Sequence, residues 1–236
     1  MIPLIKICGI TRPEDARLAA ELGAAAVGMV LWPGSPRFVD RTRAREIAAA
    51  LPPGVGAVGV FVNQTEEAIA LAPEIGLTAI QLHGDESAAS YQQAGIAVIK
   101  AVPVRDESAG RAASQVPSTA TVLLDAHDPV KRGGTGRVID WSIAASIAHD
   151  RPVILSGGLT AANVAAAIAA VRPCAIDISS GVESAGVKDA AKLRALFDVI
   201  RHLSLTDSPF NHSAVNSPLT HSSLTAFRHS AFGLRN

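Results

Sequence analysis

A cysteine closes the first apolar run of the chain, "LIKICGIT", at Cys8. If that run is a strand, alternation puts Leu4, Lys6 and Cys8 on one face and Ile5 and Ile7 on the other. A thiol acts as base or nucleophile only as the thiolate, and its unperturbed pKa is about 8.5. The positive charge of Lys6, two residues away on the same face, would favour that thiolate. The plain reading is that Cys8 is a small buried apolar residue, as free cysteines often are. A lysine is a poor neighbour for inert packing. A carboxylate, Asp125, closes another apolar run, "TVLLD". Beside an apolar wall its pKa can rise, so that it serves as a general acid. His83 ends "TAIQLH" and can be read as an acid or base, a substrate contact or a satisfied structural histidine. An acid and a base at the ends of strands would suit proton-transfer chemistry.

Other groups would hold a ligand rather than react with it. Arg37, in the turn "WPGSPRFV", is either a solvated surface arginine or a fork for a carboxylate. Gly157 and Gly158 in "SGGL", with Ser180 and Gly181 in "DISSGVE", allow close approach of a ligand to the backbone. Backbone N–H groups in two such adjacent loops suit a phosphate. Asp177 faces the same way as Ala175 and is a plausible partner for Lys6, since a buried ammonium needs one. Asp128 lies in a loop and reads as solvated, and the following "KRGGTG" reads as a flexible basic loop able to close over a ligand.

These groups need a scaffold that brings strand ends together. Eight short Val- and Ile-rich runs recur along the chain: "LIKI", "AAVGMVL", "VGAVGVF", "TAIQL", "AVIKA", "TVLLD", "PVILS" and "CAIDI". Between them lie Ala-rich stretches of helical spacing. In "PEDARLAAELG", Pro13 suits a first-turn position, Glu14 and Asp15 complement the helix N-terminus and Gly23 suits the C-terminal cap. Regular βα alternation implies a parallel sheet, and eight units imply an α/β fold of the (β/α)₈ barrel type. A doubly wound open sheet is the competitor, but it usually has fewer strands, and "CGIT" is no phosphate fingerprint. In a barrel the active site lies at the C-terminal ends of the strands, where the residues above fall.

The 236 residues are 48% hydrophobic and 18% charged, the composition of a soluble globular protein. Lys plus Arg (21) equals Asp plus Glu (21), so no net field attracts nucleic acid or an anionic membrane. The two cysteines, Cys8 and Cys174, form neither a disulfide framework nor a zinc site. The start lacks the pattern of a secretory signal, and a cytoplasmic location is expected. Residues 1–203 read as one barrel domain. The Ser-, His- and Asn-rich remainder, 204–236, has no sustained period and reads as a poorly ordered tail, so truncation near Leu203 is expected to be harmless.

Taken together, "KICGIT", "SPRFV", "VGVFVN", "QLHGDE", "LLDAHDPVKRGGTGRVIDW", "LSGGLTAANV" and "DISSGVESAGVKD" resemble the phosphoribosylanthranilate isomerase family of tryptophan biosynthesis. The resemblance runs from about residue 4 to 201; Trp32, Gly34 and Ile139 depart from the family pattern. It implies an Amadori rearrangement of N-(5-phosphoribosyl)anthranilate, with no cofactor and no metal. By resemblance Asp125 is the acid, Cys8 the base and Arg37 the ligand of the anthranilate carboxylate. Gly157, Gly158, Ser180 and Gly181 hold the phosphate, His83 contacts substrate, and Lys6 and Asp177 have an electrostatic role. The partner implied is the small phosphorylated substrate, without nucleic acid or membrane, for a monomer or homodimer. Two alternatives are another phosphosugar isomerase or epimerase and a catalytically dead barrel that binds a phosphorylated ligand. Cys8 argues against the first, and intact Cys8 and Asp125 against the second.

Overall fold

Eight parallel strands, β1 (Leu4–Cys8) to β8 (Ala175–Ile178), pair in sequence order, and β8 pairs back onto β1 to close a barrel. This computed structural model describes residues 2–91, 95–126, 138–206 and 221–234. The other strands are β2 (Ala26–Val30), β3 (Gly56–Phe61), β4 (Ala79–Leu82), β5 (Ala97–Val104), β6 (Thr121–Ala126) and β7 (Val153–Leu155). All eight apolar runs of the sequence form barrel strands. They are nearly continuous in hydrophobicity because both faces are covered, one by helices and one by the barrel interior. In β1, Ile5 and Ile7 join the layer under the helices, while Lys6 is fully buried in register with Asp177 of β8.

The helices follow their end signals. Helix α1 (Pro13–Leu22) starts on Pro13 and ends at Gly23, which takes φ 111° and donates to the carbonyls of Ala19 and Ala20. Helix α2 (Arg41–Ala49) is capped by Asp40, whose side chain accepts from the Arg43 N–H at 2.8 Å. Helix α3 (Thr65–Ile75) tolerates Pro73 near its end. The link after β4 holds only a 3₁₀ turn, Ala88–Tyr91, among its described residues. A short helix that the sequence pattern does not announce, α4 (Ser108–Ser114), follows β5. Then come α5 (Trp141–Asp150), α6 (Val164–Val171) and α7 (Ala190–Thr206). Asp128 and the "KRGGTG" loop lie outside the described residues.

Two features go beyond the sequence pattern. After β8 the chain makes a small antiparallel hairpin, β9 (Glu183–Ser184) and β10 (Val187–Lys188). Its turn places Ala185 and Gly186 at φ 52° and 80°, the positive angles that tight hairpin turns require. The second feature lies in the tail. Helix α7 runs on to Thr206, and residues 207–220 are outside the described set. Residues 221–234 are the exception to a poorly ordered tail: His221–Phe232 form helix α8, with Phe227, Ala231, Phe232 and Leu234 buried. These side chains pack on the lower barrel interior, against Ala26, Val58, Ile99, Leu123, Ile154 and Ala175. Arg228 donates to the Gly54 carbonyl, and Gly233 lies so close to Thr78 that a Cβ would sit 2.0 Å from its carbonyl oxygen. Helix α8 covers this end of the barrel interior with two phenylalanines. No described helix is long and apolar enough to cross a membrane.

Candidate active site

Cys8, Arg37, His83, Asp125 and Asp177 line one pocket at the C-terminal ends of the strands, together with Trp32, Gln81, Ser156 and Ser179. Five residues named from sequence thus meet in space although they span 170 positions of the chain. Lys6 lies beneath them, its Nζ 2.9 Å from Asp177 Oδ1. Burial, the largest single influence, opposes the Lys6 charge, but Asp177 and Cys8 together outweigh it and the ammonium pKa rises above its ordinary value.

This pairing changes the expectation for Cys8. Burial pushes the thiol above its ordinary value, and the opposing pull of Lys6 and Lys188 does not overcome it. Asp177 adds to the upward push. The expected net lowering by Lys6 therefore does not hold. Sγ and the Lys6 Nζ nevertheless share one space, made by the missing side chain of Gly28 on β2. A Cβ at Gly28 would stand 2.8 Å from Sγ and 3.1 Å from Nζ. Gly28→Ala is accordingly expected to displace the thiol and lower kcat/KM by roughly tenfold or more, the cost of misplacing a reacting group by a fraction of an ångström. The check is steady-state kinetics on the variant; unchanged kinetics would mean that the position of Sγ is immaterial.

His83 Nε2 lies 3.2 Å from Asp125 Oδ2, and its Nδ1 is 2.9 Å from the Gln81 amide nitrogen. With that amide donating, the imidazole proton is on Nε2 and faces the carboxylate. The wall beside Asp125 is therefore not wholly apolar. Loop positions are fixed by Glu86, a buried carboxylate that accepts from the backbone N–H of Asn63 and, at 2.8 Å, from that of Gly84.

Arg37 is braced on one edge. Its Nε and Nη2 donate to the two Glu183 oxygens at 2.8 and 2.7 Å. Glu183 also accepts from Lys188 Nζ, which in turn donates to the Ser179 carbonyl at 3.1 Å. Burial holds the Lys188 ammonium below its ordinary value against the pull of Glu183. Glu183 and Lys188 sit inside a motif the sequence displays, yet neither is evident as a site residue. Their role depends on the hairpin that turns both inward. Trp32 and Gly34, the two departures from the family pattern in this loop, are coupled: a Cβ at Gly34 would fall 2.4 Å from the Trp32 ring.

The two glycine-bearing loops after β7 and β8 meet as well. Gly157 and Gly158 take φ 88° and 62°, a region that side chains other than glycine rarely adopt. Asn163 ties this loop together, donating to the Gly158 carbonyl at 2.9 Å and accepting from the Thr160 N–H at 2.8 Å. Gly181 has a different reason to be glycine. A Cβ there would fall 1.9 Å from the Leu159 carbonyl oxygen, so it lets the two loops press together. Among the described residues there is no group of three His, Cys, Asp or Glu side chains placed to hold a metal.

Comparison with known proteins gives a consistent result. The family model described as N-(5'-phosphoribosyl)anthranilate (PRA) isomerase matches residues 5–199. An N-(5'-phosphoribosyl)anthranilate isomerase from Azotobacter vinelandii is 47% identical over 200 residues, covering 84% of this chain and 97% of that protein. A phosphoribosyl anthranilate isomerase solved in complex with reduced 1-(o-carboxyphenylamino)-1-deoxyribulose 5-phosphate superposes with a TM-score of 0.75 at 39% identity, covering 85% of this chain and all of that one. Monomers made from the dimeric enzyme of Thermotoga maritima give 0.75 at 37% identity, with the same coverage.

Proposed function

The chain belongs to the N-(5'-phosphoribosyl)anthranilate isomerase family, and from that premise we propose that Cys8 is the general base and Asp125 the general acid of its reaction. The protein is the isomerase of tryptophan biosynthesis that rearranges phosphoribosylanthranilate to the carboxyphenylamino-deoxyribulose phosphate. The observation that carries the assignment is that both side chains open onto one pocket from different strands.

Asp125 gives its proton to the furanose ring oxygen as the bond from that oxygen to C1′ breaks. The nitrogen lone pair forms the C1′=N bond. The Cys8 thiolate then takes the proton from C2′, the electrons pass into C1′=C2′ and on to nitrogen, and an enolamine results. Ketonisation completes the reaction. No electrons are gained or lost overall. The His83 N–H faces the carboxylate that Asp125 becomes after giving up its proton. Arg37 would orient the anthranilate carboxylate, and Gly157, Gly158, Ser180 and Gly181 the phosphate. Lys6 and Asp177 form the buried pair that sets the field under Cys8. The product-like ligand in the solved relative supports a substrate of this class. A cytoplasmic enzyme, monomeric or dimeric, is the form we assign, the dimeric Thermotoga relative supporting the second state.

The test is the fluorescence decrease of the anthranilate substrate with purified protein, followed as a function of pH. Burial raises the Cys8 thiol, so the free enzyme holds it protonated at neutral pH and the base form appears only as pH rises. Asp125 must keep its proton while Cys8 loses its own, so kcat/KM is expected to rise only up to the lower of the two pKa values, to level off between them and to fall above the thiol's. A profile that kept rising through about pH 10 would exclude the pairing of a protonated Asp125 with an ionised Cys8.

A further inference from the structure

Arg37 is the one cation from the β2–α2 loop among the pocket-lining residues, and it is held from two sides. Its aliphatic stem passes over Gly9, where a Cβ would fall 2.5 Å from Arg37 Cδ. Its Nε and Nη2 are taken by Glu183 in a bidentate pair. Glu183 is itself immobilised. Lys188 binds one of its oxygens, Lys192 Nζ binds its backbone carbonyl at 2.6 Å, and the β9–β10 pairing fixes its backbone. A guanidinium gripped along one edge keeps its remaining N–H groups directed along the other, because the group is planar.

We propose that Glu183 is a positioning residue for substrate binding: it fixes Arg37 so that its free edge meets the substrate carboxylate. This rests on the reading of Arg37 as the carboxylate ligand. Arg37 and Lys188 together outnumber Glu183 in charge, so the cluster can receive an anion that the protein itself does not supply. The distal location of Glu183 in sequence, 146 residues from Arg37, is why the β8 hairpin is needed: it delivers the carboxylate to the β2–α2 loop.

A double-mutant cycle tests the proposal, with Arg37→Met, Glu183→Gln and the double variant compared by kcat, KM and melting temperature. Each single change is expected to raise KM about tenfold or more, with a smaller change in kcat. The double variant should be no worse than the worse single, since Glu183 acts only through Arg37. Glu183→Asp keeps the charge but withdraws it by one methylene and should raise KM in the same direction, which covers the case of a Gln variant that does not fold. An unchanged KM in the folded Glu183 variants, or effects that multiply in the double variant, would overturn the positioning role. An unchanged KM in Arg37→Met would instead remove the carboxylate reading of Arg37, and with it this proposal.

Discussion

Cys8→Ser is expected to lower kcat by about 10²-fold or more, and Asp125→Asn to do the same, while KM changes little. Serine keeps the shape and nearly the volume of cysteine, but its hydroxyl is far too weakly acidic to furnish an anion near neutral pH. Asparagine keeps the shape of Asp125 and can still meet His83, yet it has no proton to give to the ring oxygen. Both changes leave Arg37 and the glycine loops untouched, so the losses should fall on the chemical step. Stopped or steady-state fluorescence assays on the folded variants measure this directly. The raised thiol sharpens the expectation for Cys8. A cysteine whose surroundings disfavour the thiolate is a base only in the minority ionised form, and a residue with no accessible anion cannot replace it. If Cys8→Ser kept near-normal kcat, the thiol would be a packing residue. His83, 3.2 Å from Asp125, would then be the first alternative base, in the tautomer whose Nδ1–H donates to a turned Gln81 amide and leaves Nε2 unprotonated.

Much of this arrangement is legible in the sequence because strand alternation is a local rule. The period of two places Lys6 and Cys8 inward and Ile5 and Ile7 outward without knowledge of the partner strand. Asp177 is legible as the Lys6 partner because β1 and β8 must be neighbours in a closed barrel, and their register brings the two together. What depends on tertiary approach is not legible. Gly28 is one glycine in an apolar run, and only the space it leaves for Sγ and Nζ gives it a role. Glu183 and Lys188 look like ordinary surface charges until the Ala185–Gly186 turn folds them inward. The direction of the Cys8 shift was the least accessible, because it is the balance of burial against two cations and one carboxylate. Sequence shows the nearest cation and its acidic partner, but not that burial outweighs the cations.

Ending the chain at Thr206 is expected to leave kcat/KM within a factor of about two and to lower Tm by about 6 °C or more. The family match stops at residue 199, so the shared barrel does not by itself require α8. The packing does. Without α8, Ala26, Val58, Ile99 and their neighbours at the N-terminal mouth lose the cover of Phe227 and Phe232. Burying a phenylalanine is worth about 1.5–3 kcal/mol, and removing one from a core costs about 3–5 kcal/mol with the cavity it leaves. In a domain of this length each kcal/mol moves Tm by about 2–4 °C. The ordering entropy of α8 works against this gain, so the cost of any single change is bounded by the free energy with which the helix docks. Phe232→Ala should therefore approach, and not exceed, the effect of the truncation. Catalysis is spared because Cys8 and Asp125 stand at the opposite ends of their strands from this mouth. Thermal melts and kinetics on the two variants separate the cases. A truncated protein with unchanged Tm would show that docking of α8 contributes nothing, and that the tail is as dispensable as its composition suggests.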